Sequence, residues 1–269
     1  MLLRSLLAQL VIGIGAAFLT QASLPQDAPA REGPGLRTVV LFGATGTIGD
    51  GVLQAAMNDP GIGKVIVVVR RSSPRIDAGV ASGKVEKVIH KNFLDYAPLR
   101  ELIANVDTVY WALGTASKNV SQEEYGVIHV DYPVRFLSTW REAAGERPIA
   151  FHYVSGKGTD KNSTLFWARE KARAEVTLFG AAKGTHTRVI SYRPPFIMPP
   201  EGKRKITDLL KRVYYGLFSE VMDPPTVGHA MLQVSLGEGD LPNGTILETK
   251  DIERLAEKYR AARAQTVVR

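Results

Sequence analysis

Gly43-Ala44-Thr45-Gly46-Thr47-Ile48-Gly49 decides the fold, and it comes directly after the apolar, β-branched run 36–42. Three glycines at this spacing permit a tight turn from strand to helix, a close approach of backbone to a phosphate, and tight packing of the helix on the strand. A strand before the loop and a helix after it make the pattern specific, because the helix amino terminus then faces the anion. The stretch predicts a Rossmann-type domain that holds the pyrophosphate of a dinucleotide on Gly43, Thr45, Gly46, Thr47, Ile48 and Gly49.

Beyond this loop, short apolar runs alternate with segments of helical periodicity. The runs predict strands at 36–42, 64–69, 85–89, 107–112, 149–154 and 187–192. Helices are predicted from the glycine loop to residue 58 and at 95–104, 121–144, 163–182, 206–218, 226–236 and 251–264. The alternation indicates an α/β fold with a doubly wound parallel sheet, the Rossmann arrangement. We expect one NAD(P)-binding domain over residues 36–265, which includes a small C-terminal helical substrate region at 201–265.

The first 35 residues differ in composition from the rest of the chain. Residues 1–22 carry one basic residue and then an apolar run, which is the layout of a secretory signal peptide or of a membrane anchor. Cleavage and retention of this segment are both open, and residues 23–35 are expected to be a flexible linker. The segment predicts a secretory or endomembrane location with membrane association through residues 2–20; a mitochondrial membrane and the cytoplasm are the alternatives. Three sequons predict glycosylation, at Asn119, Asn162 and Asn243.

Composition excludes several classes of function. The chain has 269 residues, and its net charge of +7 is spread along the sequence instead of being gathered in runs. Nucleic-acid binding is therefore not expected. The chain has no cysteine and its five histidines lie far apart, so we expect neither thiolate chemistry nor a metal site. A basic balance suits a protein that holds a polyanionic cofactor and acts on a small-molecule substrate.

The ends of the next strands predict which dinucleotide binds. The second strand is followed by Arg70 and Arg71, where an acidic residue would bind the ribose 2′-hydroxyl of NAD. Guanidinium groups pair with phosphate, so these arginines favour the 2′-phosphate of NADP; a solvated basic turn is the alternative. Asp95 is expected to accept a hydrogen bond from the adenine amino group. The ribose and nicotinamide side is expected to be lined by Ala112, Leu113 and Gly114.

Several motifs together resemble one known family. They are the glycine loop, Ala112-Leu113-Gly114-Thr115, His129-Val-Asp131-Tyr132, the segment from Ser155 to Lys161, and Arg193-Pro194. The chain resembles the atypical short-chain dehydrogenases/reductases with a GATGxIG loop, in particular the small oxidoreductases related to the human HIV Tat-interacting protein and their fungal relatives. The resemblance covers about residues 37–198.

The resemblance implies an active site with one departure. The family places a serine after the fifth strand and a Tyr-x-x-x-Lys motif on the next helix, where the lysine lowers the pKa of the tyrosine hydroxyl so that it exchanges a proton with the substrate. Ser155 and Lys171 match this pattern, and Lys171 is also expected to bond the nicotinamide ribose. The tyrosine position holds Trp167, whose indole N–H does not ionise in the relevant range.

Three explanations of Trp167 are open. Another hydroxyl, of Thr164 or Tyr153, exchanges the proton; or substrate or water supplies it; or the protein binds nucleotide without turnover. The first two predict an NADP-dependent oxidoreductase for a small, hydrophobic carbonyl or alcohol, and the third predicts a regulatory or interaction protein. The substrate pocket is expected between residues 118–125, residues 194–200 and the C-terminal helices.

Overall fold

A seven-stranded parallel sheet forms the centre of this computed structural model, which describes residues 37–199, 220–237 and 241–267. Its strands are β1 (Arg37–Phe42), β2 (Ile62–Val69), β3 (Val85–Ile89), β4 (Thr108–Trp111), β5 (Ile149–Val154), β6 (Thr187–Tyr192) and β9 (Thr245–Leu247), and a separate parallel pair is formed by β7 (Phe196–Ile197) and β8 (Val221–Met222). The strand order in the large sheet is β3-β2-β1-β4-β5-β6-β9. The predicted doubly wound α/β fold is confirmed. Residues 1–22, the linker 23–35 and the predicted helix 206–218 lie outside the described residues.

The sequence analysis missed the edge strand β9. It has only three residues and pairs with β6 from Ile190 opposite Thr245 to Tyr192 opposite Leu247. Three residues are too few to show the alternation or apolar run that marks a strand. Its place at the sheet edge depends on the preceding turn, where the Asn243 side chain accepts from the Val189 N–H and donates to the Phe179 carbonyl.

The described helices are α1 (Thr47–Asn58), α2 (Pro74–Ala81), α3 (Arg100–Ile103), α4 (Gln122–Gly126), α5 (Tyr132–Ala144), α6 (Phe166–Ala182), α7 (Pro224–Leu236) and α8 (Thr249–Val267). The eight-residue α2 was not predicted, although Pro74 stands at its first position, where a proline is favoured. None of these described helices is long and apolar enough to cross a membrane.

The helix predicted at 121–144 is interrupted by a wide π turn over Val127–Asp131. The Tyr132 N–H bonds to the Val127 carbonyl, five residues back. Pro133 follows and has no N–H to offer the His129 carbonyl four residues before it. The turn therefore leaves that carbonyl for another partner, and it divides the predicted helix into α4 and α5.

Alternate residues of the strands pack into two hydrophobic cores, one on each side of the sheet. In β1, Val39 and Leu41 pack with α1, α7 and α8, whereas Val40 and Phe42 pack with α3, α5 and α6. Successive strand residues thus face opposite sides of the sheet, and helices cover both sides. The strands are therefore continuous apolar runs in the sequence. Glycines bring α7 close to α1, since a Cβ on Gly228 would lie 2.8 Å from that of Ala55. The C-terminal helices therefore complete one layer of the fold.

Candidate functional site

Loops at the carboxyl ends of the parallel strands enclose a groove along one edge of the sheet. Its two connected parts have volumes of about 470 and 230 Å³. The two parts share four wall residues, which are Gly46, Ala112, Leu113 and Gly114. The crevice outside the carboxyl ends of the strands is where open α/β sheets bind their ligands.

The glycine loop has the shape that brings backbone close to an anion. Gly43 has a φ of 82°, and a Cβ there would meet the Ala112 carbonyl. A Cβ on Gly49 would overlap the Gly43 carbonyl oxygen. Helix α1 begins at Thr47 without a side-chain cap, so its first N–H groups are left to a ligand at the positive end of the helix dipole.

The smaller part of the groove has a basic mouth. Arg70 and Arg71 are exposed there, and the chain continues through Ser72 to Ser73, the residue before α2. The Ser73 hydroxyl is buried and has no hydrogen-bond partner in the described part of the chain. The walls are Gly43, Thr45, Gly46, Val68, Val69, Arg70, Arg71, Phe93, Ala112, Leu113 and Gly114. Eight of these wall residues were predicted to bind the cofactor. Phe93 is a further wall residue, which was not predicted from the sequence.

Asp95 does not belong to this groove, so its predicted contact with adenine is not supported by its position. Its carboxylate accepts a hydrogen bond from the Ala97 N–H at 3.0 Å and closes the turn that precedes α3. It lines a different surface depression, with Arg100 and Arg135. Phe93 enters the groove instead, because it is the buried residue of the turn that follows β3.

The larger part of the groove brings together three residues that the resemblance selects: Ser155, Trp167 and Lys171. The remaining walls include Thr47 and Ile48 of α1, the segment after β4, and the described residues 194–197. No residue of α7 or α8 is among the described residues that line it. The predicted wall at residues 118–125 contributes Tyr125.

Lys171 is buried at the base of this cavity. Its Nζ donates to the Val154 carbonyl at 2.8 Å and to the Tyr153 hydroxyl at 3.4 Å. Burial lowers the pKa of Lys171 to about 7, and the nearby Glu175 carboxylate opposes that shift. Glu175 is held by Ser191 at 2.7 Å and by Arg193 at 2.5 Å. The lysine is thus fixed between β5 and a buried ion pair.

Neither of the two hydroxyls predicted to replace the missing tyrosine is available in the cavity. Thr164 stands seven residues before Lys171, the spacing of two helical turns, but α6 begins only at Phe166, so Thr164 lies in the exposed bend before it. Tyr153 is completely buried, and its hydroxyl donates to the His129 carbonyl at 3.0 Å. Burial also raises the pKa of Tyr153 well above 10. The Tyr153 hydroxyl thus gives the His129 carbonyl the hydrogen bond that Pro133, which has no N–H, cannot give.

Tyr125, from the predicted wall, and His129, from a family motif without a predicted role, also line the cavity. Their rings pack at 4.0 Å between centroids. His129 Nε2 lies 3.1 Å from both the N and the O of Thr115, and burial lowers the pKa of His129 to about 2. A Cβ on Gly114 would lie 2.5 Å from the His129 ring. The neutral imidazole is therefore clamped against the segment after β4.

Residues 39–221, which contain every wall of the groove described above, match the sequence pattern of the NAD dependent epimerase/dehydratase family. The match covers more than half of the chain. The chain belongs to the NAD dependent epimerase/dehydratase family. Membership of this family supports an NAD(P)-dependent enzyme of the oxidoreductase or epimerase type.

Relatives of the epimerase/dehydratase chain come from a fungus and from bacteria. Leucinostatins biosynthesis cluster protein T of Purpureocillium lilacinum is 27% identical over 143 residues, which are 52% of this chain and 51% of that protein. The match thus spans about half of that relative. An oxidoreductase of the short chain dehydrogenase/reductase family from Burkholderia thailandensis has a TM-score of 0.61 at 18% identity, covering 80% of this chain and 91% of that one.

A second solved structure with the same fold is UDP-glucuronic acid 4-epimerase from Bacillus cereus in complex with NAD. It has a TM-score of 0.60 at 12% identity, covering 78% of this chain and 76% of that one. At such identities the likeness establishes the Rossmann-type fold alone. The chemistry of this epimerase/dehydratase family member depends on the residues of its own groove.

Proposed function

We propose that the protein is an NADP-dependent oxidoreductase that acts on a small, hydrophobic carbonyl or alcohol. The observation that carries this proposal is the continuous groove, which has arginines at one end and Ser155 with a buried Lys171 at the other. The glycine loop borders both parts of the groove, so a dinucleotide bound to that loop would extend into both parts. The narrower relationship to the Tat-interacting-protein relatives is part of this proposal.

The choice of NADP rests on the mouth of the smaller cavity. Arg70 and Arg71 line it, and no acidic side chain is among the described residues of its wall. Guanidinium groups pair with phosphate through charge-assisted hydrogen bonds, so these two side chains suit the 2′-phosphate of NADP.

The apolar substrate rests on the larger cavity. Among the described residues that line it, Lys171 is the only charged side chain, and its ammonium is engaged by the Val154 carbonyl. The walls available to a substrate are dominated by the rings of Tyr125, Trp167 and Phe196. A substrate that carries phosphates or carboxylates would find no free cation among the described wall residues, whereas an apolar compound with one carbonyl would be well accommodated.

Replacement of Arg70 and Arg71 tests the cofactor assignment. Loss of a charge-assisted hydrogen bond to phosphate is worth about 1.5–3 kcal/mol, so Arg70→Ala or Arg71→Ala should weaken NADPH binding about 10- to 100-fold. NADH has no 2′-phosphate, and its affinity should change less than about threefold by the same reasoning. Both dissociation constants are measured by titration, with the exposed Arg254→Ala in α8 as the control. Equal losses for NADPH and NADH would rule out the NADP assignment.

The second candidate function is a regulatory or interaction protein that binds NADP without turnover. Trp167 favours it, because the indole occupies the position of the family's ionising hydroxyl. NADPH oxidation is followed at 340 nm over a panel of aromatic and aliphatic aldehydes and ketones. Stoichiometric NADPH binding without any turnover would support the regulatory protein, whereas an activity that Trp167→Tyr increases would show that the cavity is arranged for catalysis.

A further inference from the structure

Among the hydroxyls that line the larger cavity in the described part of the chain, one has an acidity that suits proton transfer to a carbonyl; the ammonium of Lys171 is engaged by the Val154 carbonyl. Its described walls include the hydroxyls of Thr47, Thr115, Tyr125 and Ser155. Aliphatic hydroxyls are very weak acids, whereas a phenol ionises near pH 10 in water. The Thr159 hydroxyl donates to the Gly156 carbonyl, so in its 3.0 Å contact with Ser155 the serine is the donor. Ser155 therefore meets a substrate as an acceptor.

We propose that Tyr125 is the proton donor of this site, in place of the hydroxyl that position 167 lacks. The inference rests on the proposed oxidoreductase function and adds the residue that completes it. Tyr125 lies at the end of α4, 42 positions before Trp167 in the chain, and the fold brings both rings to the same cavity wall.

Packing holds the Tyr125 ring in place while its hydroxyl is not engaged. One ring face lies against His129 at 4.0 Å between centroids, and Phe166 meets it edge-on at 5.6 Å. The residue is 4% exposed, yet its hydroxyl makes no hydrogen bond within the described part of the chain. His129 is in turn fixed by Thr115 and by the close approach of Gly114. The hydroxyl is therefore positioned and free to bond a substrate oxygen.

The proton step balances in the direction of reduction. When bound, a reduced nicotinamide supplies the hydride that forms the new C–H bond. As that bond forms, the electron pair of the carbonyl π bond takes the proton of the Tyr125 hydroxyl, which leaves an alcohol and a phenolate. Water then returns a proton to the phenolate.

The surroundings of Tyr125 favour donation over abstraction. Burial and the Glu170 carboxylate raise the pKa of Tyr125 to about 12. The phenol is therefore protonated throughout the neutral range and ready to donate. Alcohol oxidation needs the phenolate, so we expect the oxidation rate to rise as the pH approaches 12. The phenol gives reduction no pH dependence between pH 6 and 9; a dependence in that range comes from Lys171, whose pKa is lowered to about 7 by burial at the base of the same cavity.

The test uses the full chain with Tyr125→Phe, which removes one oxygen and keeps the ring packing. Tyr96→Phe is the matched control, since Tyr96 is another buried phenol without a hydrogen-bond partner, and it lies outside the cavity. With NADPH and the carbonyl compound that the wild type reduces fastest, Tyr125→Phe should lower kcat about 10²- to 10⁴-fold, the usual contribution of a general acid. Tyr96→Phe should stay within about threefold of wild type on the same scale.

Binding gives a second readout that does not depend on turnover. Trp111 and Trp140 are completely buried, whereas Trp167 lines the cavity, so quenching of tryptophan emission reports a ligand there. Without cofactor, Tyr125→Phe should weaken acetophenone binding about two- to tenfold, the equivalent of one neutral hydrogen bond. The NADPH dissociation constant should stay unchanged.

Rescue separates proton donation from a structural role. In the double variant Tyr125→Phe with Trp167→Tyr, a hydroxyl returns to the cavity from α6 and should restore at least about a tenfold gain in kcat over Tyr125→Phe alone. An active wild type whose Tyr125→Phe variant keeps its kcat would overturn the role of Tyr125 and leave the oxidoreductase function standing. Equal losses of NADPH affinity and kcat would also overturn it, in favour of a structural role. A wild type that binds NADPH but reduces no carbonyl would overturn both.

Discussion

Replacement of Lys171 by Met tests the electrostatics at the base of the groove. Lys171 is 7% exposed, and burial lowers its pKa from the usual 10.5 to about 7. Between about pH 7 and pH 10.5 the unfolded chain therefore binds one proton more than the folded chain. The free energy of unfolding contributed by this group rises with pH across that window, and it is constant below the window, where both states carry the charge.

The magnitude follows from a single proton. One proton corresponds to a slope of about 1.4 kcal/mol per pH unit. Between pH 7.5 and pH 9 the wild type should therefore gain about 2 kcal/mol relative to Lys171→Met. The variant also loses the hydrogen bond to the Val154 carbonyl. That loss shifts its curve by an amount that does not depend on pH, so the difference in slope is the quantity to compare.

Urea unfolding followed by circular dichroism at pH 6, 7.5 and 9 measures this difference. Lys258→Met is the matched control, because Lys258 is exposed on α8, and its slope should follow that of the wild type. Parallel curves for the wild type and Lys171→Met over the whole range would refute the argument, since they would mean that Lys171 keeps the same charge in both states.

Three further substitutions test how the cavity is supported. Gly114→Ala places a Cβ 2.5 Å from the His129 ring, which is buried and cannot move away, so thermal unfolding should show a loss of about 1–3 kcal/mol. Gly180→Ala in α6 meets nothing within 4 Å and should instead stabilise by about 0.5–1 kcal/mol; a loss there would contradict the steric reasoning. Glu175→Gln removes the buried charge that pairs with Arg193, which keeps its second partner Glu248, and should lower the urea-derived stability by about 1.5–3 kcal/mol; an unchanged midpoint would show that the buried charge contributes nothing.

The order of the chain elements was readable because its signals are local. A buried strand needs only a run of β-branched residues, and the turn of Gly43 and Gly49 needs only the absence of a Cβ where backbones meet. The first six strands along the chain were therefore predicted close to their observed bounds. The edge strand β9 and the break between α4 and α5 were not predicted. The pairing of β9 with β6 and the missing N–H of Pro133 do not change the periodicity of apolar residues in the sequence.

The sequence by itself determined the cofactor loop, the basic mouth at Arg70 and Arg71, and the departure at Trp167. Only the tertiary structure decided which side chains face the two parts of the groove. It placed Thr164 and the Tyr153 hydroxyl away from the larger cavity, and it placed Phe93 instead of Asp95 in the wall of the smaller one. Of the predicted wall at 118–125, it brought Tyr125 to the larger cavity. The physical reason is distance along the chain: a glycine turn is set by steric contacts among a few neighbours, whereas the cavity is enclosed by strand ends and helices that meet only after the sheet has formed.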